Sequence, residues 1–139
     1  MTDHIIEMAI THTYDPDLNR LIMKASGTLD VPQLEVYLAE VLANEDIREG
    51  FVELVDLSAV EDFAMKFSET GVFEPIWRKY VAKGVARTVV LATSDASFGL
   101  FRMLITSLIA AMGTEDIPFY VFRDRESAMN ALEGNVATS

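Results

Sequence analysis

Two short runs, Phe51-Val-Glu-Leu-Val-Asp-Leu57 and Thr88-Val-Val-Leu-Ala92, constrain the fold of this chain more than any other feature. Each is too short for a helix and too apolar to leave one face in water, so each reads as a strand buried on both faces. Strands of that kind belong to parallel sheets and need helical crossovers. The surrounding sequence supplies them. Asp30 precedes Val31-Pro32, the residue types of a helix N-cap and first turn, and Leu34, Tyr37, Leu38, Val41 and Leu42 follow at helical spacing. Ile76 to Val81 reads as a short helix ending at Gly84, and Ser97 to Met112 as a longer one ending at Gly113. Phe119 to Phe122 is a last strand, and Asp124 is placed to cap a final helix through Leu132. The stretch from Ser58 to Phe73 reads as a loop or broken helix, because Gly71 and Pro75 interrupt any single helix.

Ahead of these units, Ile6, Met8 and Ile10 alternate with Glu7 and Thr11, and the segments Ile5–Tyr14 and Arg20–Ala25 both read as strands. Asp15-Pro-Asp-Leu-Asn19 between them is rich in turn formers, so an antiparallel hairpin is expected, with Gly27 ending its second strand. The expected fold is therefore α/β: a mixed five-stranded sheet, opened by the hairpin and continued by parallel strands, with about four helices. At 139 residues, one domain over 1–133 is expected, followed by a small-residue, disordered tail at 134–139.

Charge and composition narrow the function. Eleven basic residues against 22 acidic ones give a net charge of −11, which disfavours nucleic acid and anionic membrane as partners. The absence of cysteine excludes thiol nucleophiles, disulfides and cysteine metal sites. The opening Met1-Thr2-Asp3-His4 has no basic segment before an apolar one, so a cytoplasmic location is expected. The two histidines, His4 and His12, stand near the first strand without a ligand spacing or a nucleophile partner, and neither a metal nor a cofactor is expected. No glycine-rich phosphate loop or dinucleotide fingerprint is present.

One polar constellation stands out. Asp56 falls near the end of a buried strand, and the carboxyl ends of parallel strands are where open sheets of this class bind ligands. Ser58 follows it, and Thr93, Ser94 and Asp95 follow the next parallel strand and are expected on the same edge. The competing role for these residues is local: Asp56 closing its loop, and Ser94, Asp95 and Ser97 capping the next helix. An aspartate after the third strand and a hydroxyl after the fourth also suggest a two-component receiver. That pattern needs paired acids after the first strand and a lysine after the fifth; this chain has Thr13-Tyr14-Asp15 and Arg123 there, which rejects it.

The segment 97–112 is amphipathic and too short to span a membrane, so stable membrane insertion is not expected. Phe98, Phe101, Leu104, Ile105, Leu108 and Met112 share an apolar arc of roughly 180°, wider than the roughly 100° that one packing surface needs. That excess suits deep burial, a subunit interface or the wall of an apolar pocket; Arg102 lies on the opposite, polar arc as a candidate contact.

The order of elements, together with Val55-Asp-Leu-Ser58, Ala86-Arg-Thr-Val-Val-Leu-Ala92, Phe98-Gly-Leu-Phe-Arg-Met103 and Val121-Phe-Arg-Asp-Arg-Glu-Ser-Ala128, resembles the bacterial SpoIIAA-like proteins of the STAS-type group, which includes anti-sigma-factor antagonists. The resemblance runs from the hairpin to Leu132. It implies a non-enzymatic domain that binds a protein partner, or else a module holding an apolar molecule or lipid beside the helix 97–112; the wide apolar arc of that helix adds the expectation of a homodimer. The antagonists carry a phosphorylatable serine in an Asp-Ser-Ser-Gly or Asp-Ser-Thr-Gly stretch. The nearest match here is Ser68-Glu69-Thr70-Gly71, with Glu69 in place of the first hydroxyl residue and a longer run, Ala59 to Phe67, before it. The resemblance therefore points to the branch without a known phosphoswitch: either Glu69 supplies a permanent charge at the switch position, unless Ser68 or Thr70 takes over the switch, or Glu69 serves only as an acid near the start of the following helix.

Overall fold

A computed structural model describes residues 10–64, 71–112 and 118–134. The expected strand residues 5–9, the switch-position residues Ser68, Glu69 and Thr70, and the tail at 135–139 lie outside the described residues. Along the chain run β1 (Ile10–Asp15), β2 (Arg20–Asp30), α1 (Val31–Ala43), β3 (Val52–Ala64), α2 (Phe73–Lys83), β4 (Arg87–Leu91), α3 (Asp95–Met112), β5 (Phe119–Phe122) and α4 (Arg125–Leu132). The sheet has the order β1-β2-β3-β4-β5; β1 pairs antiparallel with β2, and every later pair is parallel.

Successive side chains of a strand point to opposite faces, and this parity sorts the core into two layers. Leu21, Met23 and Ala25 of β2, Val55 and Leu57 of β3, and Val90 of β4 pack with Leu34, Tyr37 and Val41 of α1, Trp77 and Tyr80 of α2, and Phe101, Leu104 and Leu108 of α3. The alternate residues Leu54, Val89 and Leu91 meet Ala128, Ala131 and Leu132 of α4. Three helices thus cover one face and α4 the other. Glu53 shares the parity of Val55 and faces the three-helix layer, whereas Asp56 shares that of Leu54 and faces α4. Two carboxylates three residues apart consequently sit in separate environments.

The helix starts follow local chemistry. Asp30 caps α1 through a reciprocal box, accepting from the Gln33 N–H at 2.9 Å while Gln33 Oε1 accepts from the Asp30 N–H. Asp124 caps α4, accepting from the Ser127 N–H at 2.8 Å.

Several boundaries differ from the sequence expectation. Gly27 does not end β2: at φ 68° it sits beside shifts in the β2–β3 register, so the strand bulges and continues to Asp30. β3 correspondingly does not give way to a loop or broken helix after Leu57 but continues to Ala64, paired with this extension of β2. Pro75 does not delay α2, which starts at Phe73, because a proline in the first turn removes an N–H that has no intrahelical acceptor. α3 starts at Asp95, two residues earlier than expected.

Candidate functional site

Where the pairing of β3 with β4 ends, at Asp56 and Leu91, the structure brings together Asp56, Ser58 and a residue the sequence did not single out, Arg125; Asp56 does not fall near the end of its own strand as expected, because β3 continues along β2 to Ala64. Asp56 lies in β3 opposite Leu91 of β4 and is buried at 5% exposure. Its Oδ1 accepts from both the backbone N–H and the hydroxyl of Ser58, at 3.0 and 2.6 Å. Its Oδ2 accepts from Arg125 Nη2 at 3.1 Å, and the same Nη2 donates to Ser58 Oγ at 3.3 Å. Arg125 is the first residue of α4, delivered by the Asp124 cap. Burial pushes the Asp56 carboxyl up, but the Ser58 bonds and the Arg125 guanidinium outweigh it and hold the group below the ordinary carboxylate range.

The linkage sign follows. A depressed folded value means that Asp56 contributes stability above its unfolded value of about 3.9, and that this is lost as pH falls through the folded value. Asp56→Asn should therefore flatten the acid limb of a stability curve below about pH 4 and cost about 1–2 kcal/mol at neutral pH, since Arg125 is half-exposed and its attraction screened. Urea denaturation between pH 2.5 and 7 measures both effects; an unchanged acid limb would show that Asp56 is not the linked group.

The other expected edge residues do not join this cluster. Asp95 is paired with Arg123, whose guanidinium lies 5.2 Å from the centre of the Phe98 ring. Ser94 is the local cap of α3, its Oγ accepting from the Ser97 N–H at 3.1 Å, and Thr93 is exposed. Arg102 is exposed on the outer face of α3, where its carbonyl accepts from Thr106 Oγ1. Among the described residues the site holds no thiol and no histidine. His12, the one described histidine, lies edge-on to Tyr37 and 4.0 Å from Glu40, where β1 meets α1. No group of three potential metal ligands converges among the described residues.

A second feature lies under the three-helix layer. A cavity of about 60 Å³ is lined by apolar side chains from β2 to β5 and from α1, α2 and α3, including Phe101, Leu104 and Leu108. Phe98 and Ile105 flank this stripe half-buried, and the Met112 side chain lies outside what is described. The centre of the apolar arc on α3 thus meets the sheet and the cavity wall, and its shoulders remain half-buried.

Glu53 also lines the cavity. It is 1% exposed, and its Oε2 accepts from the hydroxyls of Tyr37 and of Tyr80, the latter at 3.0 Å, while Oε1 accepts from Thr88 Oγ1 at 2.9 Å. Burial raises the Glu53 carboxyl above its ordinary range, with the three hydroxyl donors opposing the shift in part. Burial likewise raises both phenols, helped by the carboxylate beside them, so Tyr37 and Tyr80 keep their protons and act as donors. The sequence carried a signal for this residue, one of two acids (with Asp56) inside the apolar run Phe51–Leu57, but its partners come from α1, α2 and β4 and have no common spacing.

Together the topology and this two-faced layering define the SpoIIAA-like class of α/β fold, as the sequence resemblance implied. Among solved structures, the chain is similar to a protein of the DUF3478 family with a SpoIIAA-like fold from Shewanella loihica PV-4, with TM-score 0.52 and 18% identity over 95% of this chain and 98% of that one. It is also similar to the anti-sigma factor antagonist SpoIIAA in its unphosphorylated form (TM-score 0.49, 14% identity, 91% and 99% coverage) and to an anti-sigma factor antagonist from Mycobacterium paratuberculosis (0.46, 20%, 91% and 97%). No protein-family model and no curated protein matches the sequence. No helix among the described residues is long and apolar enough to cross a membrane.

Proposed function

We propose that this chain is a non-enzymatic, STAS-type regulatory domain that acts by binding a protein partner and that self-associates as a homodimer. The observation that carries this is the closure of the sheet's carboxyl edge. Where an enzyme of this architecture would present reactive groups, Asp56 is ion-paired with Arg125 and hydrogen-bonded by Ser58, and Asp95 is ion-paired with Arg123. Ser58 Oγ donates its proton to a carboxylate whose basicity is lowered, which makes it a poor nucleophile. What remains is a polar surface with paired, partly exposed charges, suited to meeting a partner rather than to chemistry. In broad hydrolase and phosphatase screens we expect no turnover; activity abolished by Asp56→Asn at an unchanged thermal midpoint would overturn the proposal.

The cavity beneath α3 favours a second reading, a module that holds a small apolar molecule. Its walls are contributed by three helices and four strands, the placement common for ligand sites. Native mass spectrometry of the freshly purified protein separates the two: a ligand-free dimer supports the first reading, and a monomer that retains a small-molecule mass supports the second.

A further inference from the structure

We propose that the cavity under α1, α2 and α3 takes a bare saturated hydrocarbon group of about four carbons and leaves every polar atom of its ligand outside the wall. This rests on the cavity reading above and adds the chemistry of the ligand. Polar side chains do belong to the wall: Glu53, Tyr37, Tyr80, Thr88 and Trp77 all line the cavity. Their polar atoms nevertheless contribute almost nothing to its surface, which is nearly all carbon. The hydroxyls of Tyr37, Tyr80 and Thr88 are committed to the Glu53 carboxyl, itself 1% exposed, and the indole nitrogen of Trp77 is buried. The polar cluster is closed on itself, so a ligand meets only the carbon of these side chains.

Such a wall sorts ligands by what it cannot offer them. A hydroxyl, carbonyl or amine drawn inside gives up its bonds to water and finds no replacement. A charged group loses more, and no lysine, arginine or histidine lines the cavity to meet an anion. Water is disfavoured for the same reason, since a buried water needs two to four polar partners. A saturated chain loses no hydrogen bond on entry and gains dispersion contacts with side chains such as Met23, Val55, Val90, Leu104 and Leu108. A volume of about 60 Å³, at about 10–15 Å³ for each water-sized group, has room for about four of them. Of the helical residues in the wall, Leu38 of α1 and Ile76 of α2 are half-buried and the others buried, so solvent reaches the wall between these two helices. The group can enter as a free hydrocarbon or as the end of a longer chain whose head stays in water.

Protein carrying isotope-labelled methionine and leucine methyls would be titrated with n-butane, 1-propanol and octanoate. The first two are matched in heavy-atom count, and the third carries an alkyl chain behind a charged head. Methyls of Met23, Leu34, Leu104 and Leu108 report on the cavity. We expect saturable shifts of these methyls with n-butane, which should bind about tenfold tighter than 1-propanol (about 1.4 kcal/mol). Val90→Ile, which adds one carbon to the wall, should weaken n-butane by about fourfold, the equivalent of one CH₂. Should this variant fail to fold, the wild-type methyl shifts decide. Octanoate that moves the same methyls identifies the end of a longer chain as the source; n-butane binding with octanoate inert identifies a free hydrocarbon, and either supports the bare-hydrocarbon class. Binding of 1-propanol as tight as that of n-butane, through the same methyls, would overturn that class while leaving the cavity reading intact. Failure of all three probes to bind would remove the cavity reading itself, and this inference with it.

Discussion

Replacing Glu53 by leucine should destabilise the fold by about 3–5 kcal/mol, a large part of the about 5–15 kcal/mol typical of a domain this size. The reason is asymmetric removal. The hydroxyls of Tyr37, Tyr80 and Thr88 all donate to this carboxyl in a buried layer, and leucine takes away their acceptor while leaving all three donors in place. An abandoned buried donor costs about 1–3 kcal/mol, and the two phenols, which meet at the same oxygen, recover part of the loss through each other. Glu53→Gln keeps an acceptor oxygen and should stay within about 1 kcal/mol of the wild type at neutral pH. It should also change the pH dependence. The folded Glu53 value is raised, so the native state keeps a proton that the unfolded chain releases at about pH 4.3; stability from this group is fully present below that value and is lost as pH rises through the folded value. Its sign is opposite to that of Asp56. Urea denaturation of wild type and Glu53→Gln from pH 4 to 8 should show a falling limb in the first and none in the second. A Glu53→Leu variant as stable as the wild type would mean that the hydroxyls re-pair elsewhere.

Much of the fold was legible because it rests on signals local to a few residues. The runs Phe51–Leu57 and Thr88–Ala92 gave buried parallel strands, and Asp30 and Asp124 gave helix starts, since a cap is a chemistry of three or four neighbours. The lengths of β2 and β3 were not legible. Gly27 is a strand breaker in sequence and a bulge in structure, and the difference depends on whether another strand pairs beyond it; Ser58 to Ala64 supplies that pairing only because β2 continues. The candidate site divides in the same way. Asp56 and Ser58, two residues apart on one strand, could be read as a unit. Arg125 is 69 residues from Asp56 and belongs to a different element, so only the docking of α4 on the sheet reveals the pair. Thr93 and Ser94 were placed near Asp56 by topology, yet the helix that begins at Asp95 draws Ser94 into its own first turn. Glu53 was visible as an anomaly in an apolar run, but the parity that turns it away from Asp56 and toward Tyr37, Tyr80 and Thr88 acquires meaning only once the helices are assigned to faces.

Gly84→Ala should cost about 2–4 kcal/mol, although it adds a single methyl group near the surface. Gly84 closes α2 with φ 97° and ψ 31°, a backbone region disfavoured for residues with a Cβ by about 1–3 kcal/mol. An added Cβ would also lie 3.1 Å from the Glu49 Cα and closer still to its Cγ; the side chain can turn aside, but the backbone contact persists and overpacking adds about 1–3 kcal/mol. Relief by separation is opposed, because the Gly84 carbonyl accepts from the Gly50 N–H at 2.7 Å and the Ala86 N–H donates to the Phe51 carbonyl at 2.8 Å. These two bonds hold the start of β3 against the start of β4 and precede the register that sets Val52 beside Arg87 and Glu53 beside Thr88. Gly99→Ala is the matched control: its Cβ meets nothing within 4 Å, its φ is not in the left-handed region, and alanine inside α3 should stabilise by about 0.5–1 kcal/mol. Thermal and urea unfolding of the two variants should move in opposite directions from the wild type. Equal midpoints for both would show that the α2–β4 turn yields without strain, and that the β3–β4 register is fixed by the strands alone.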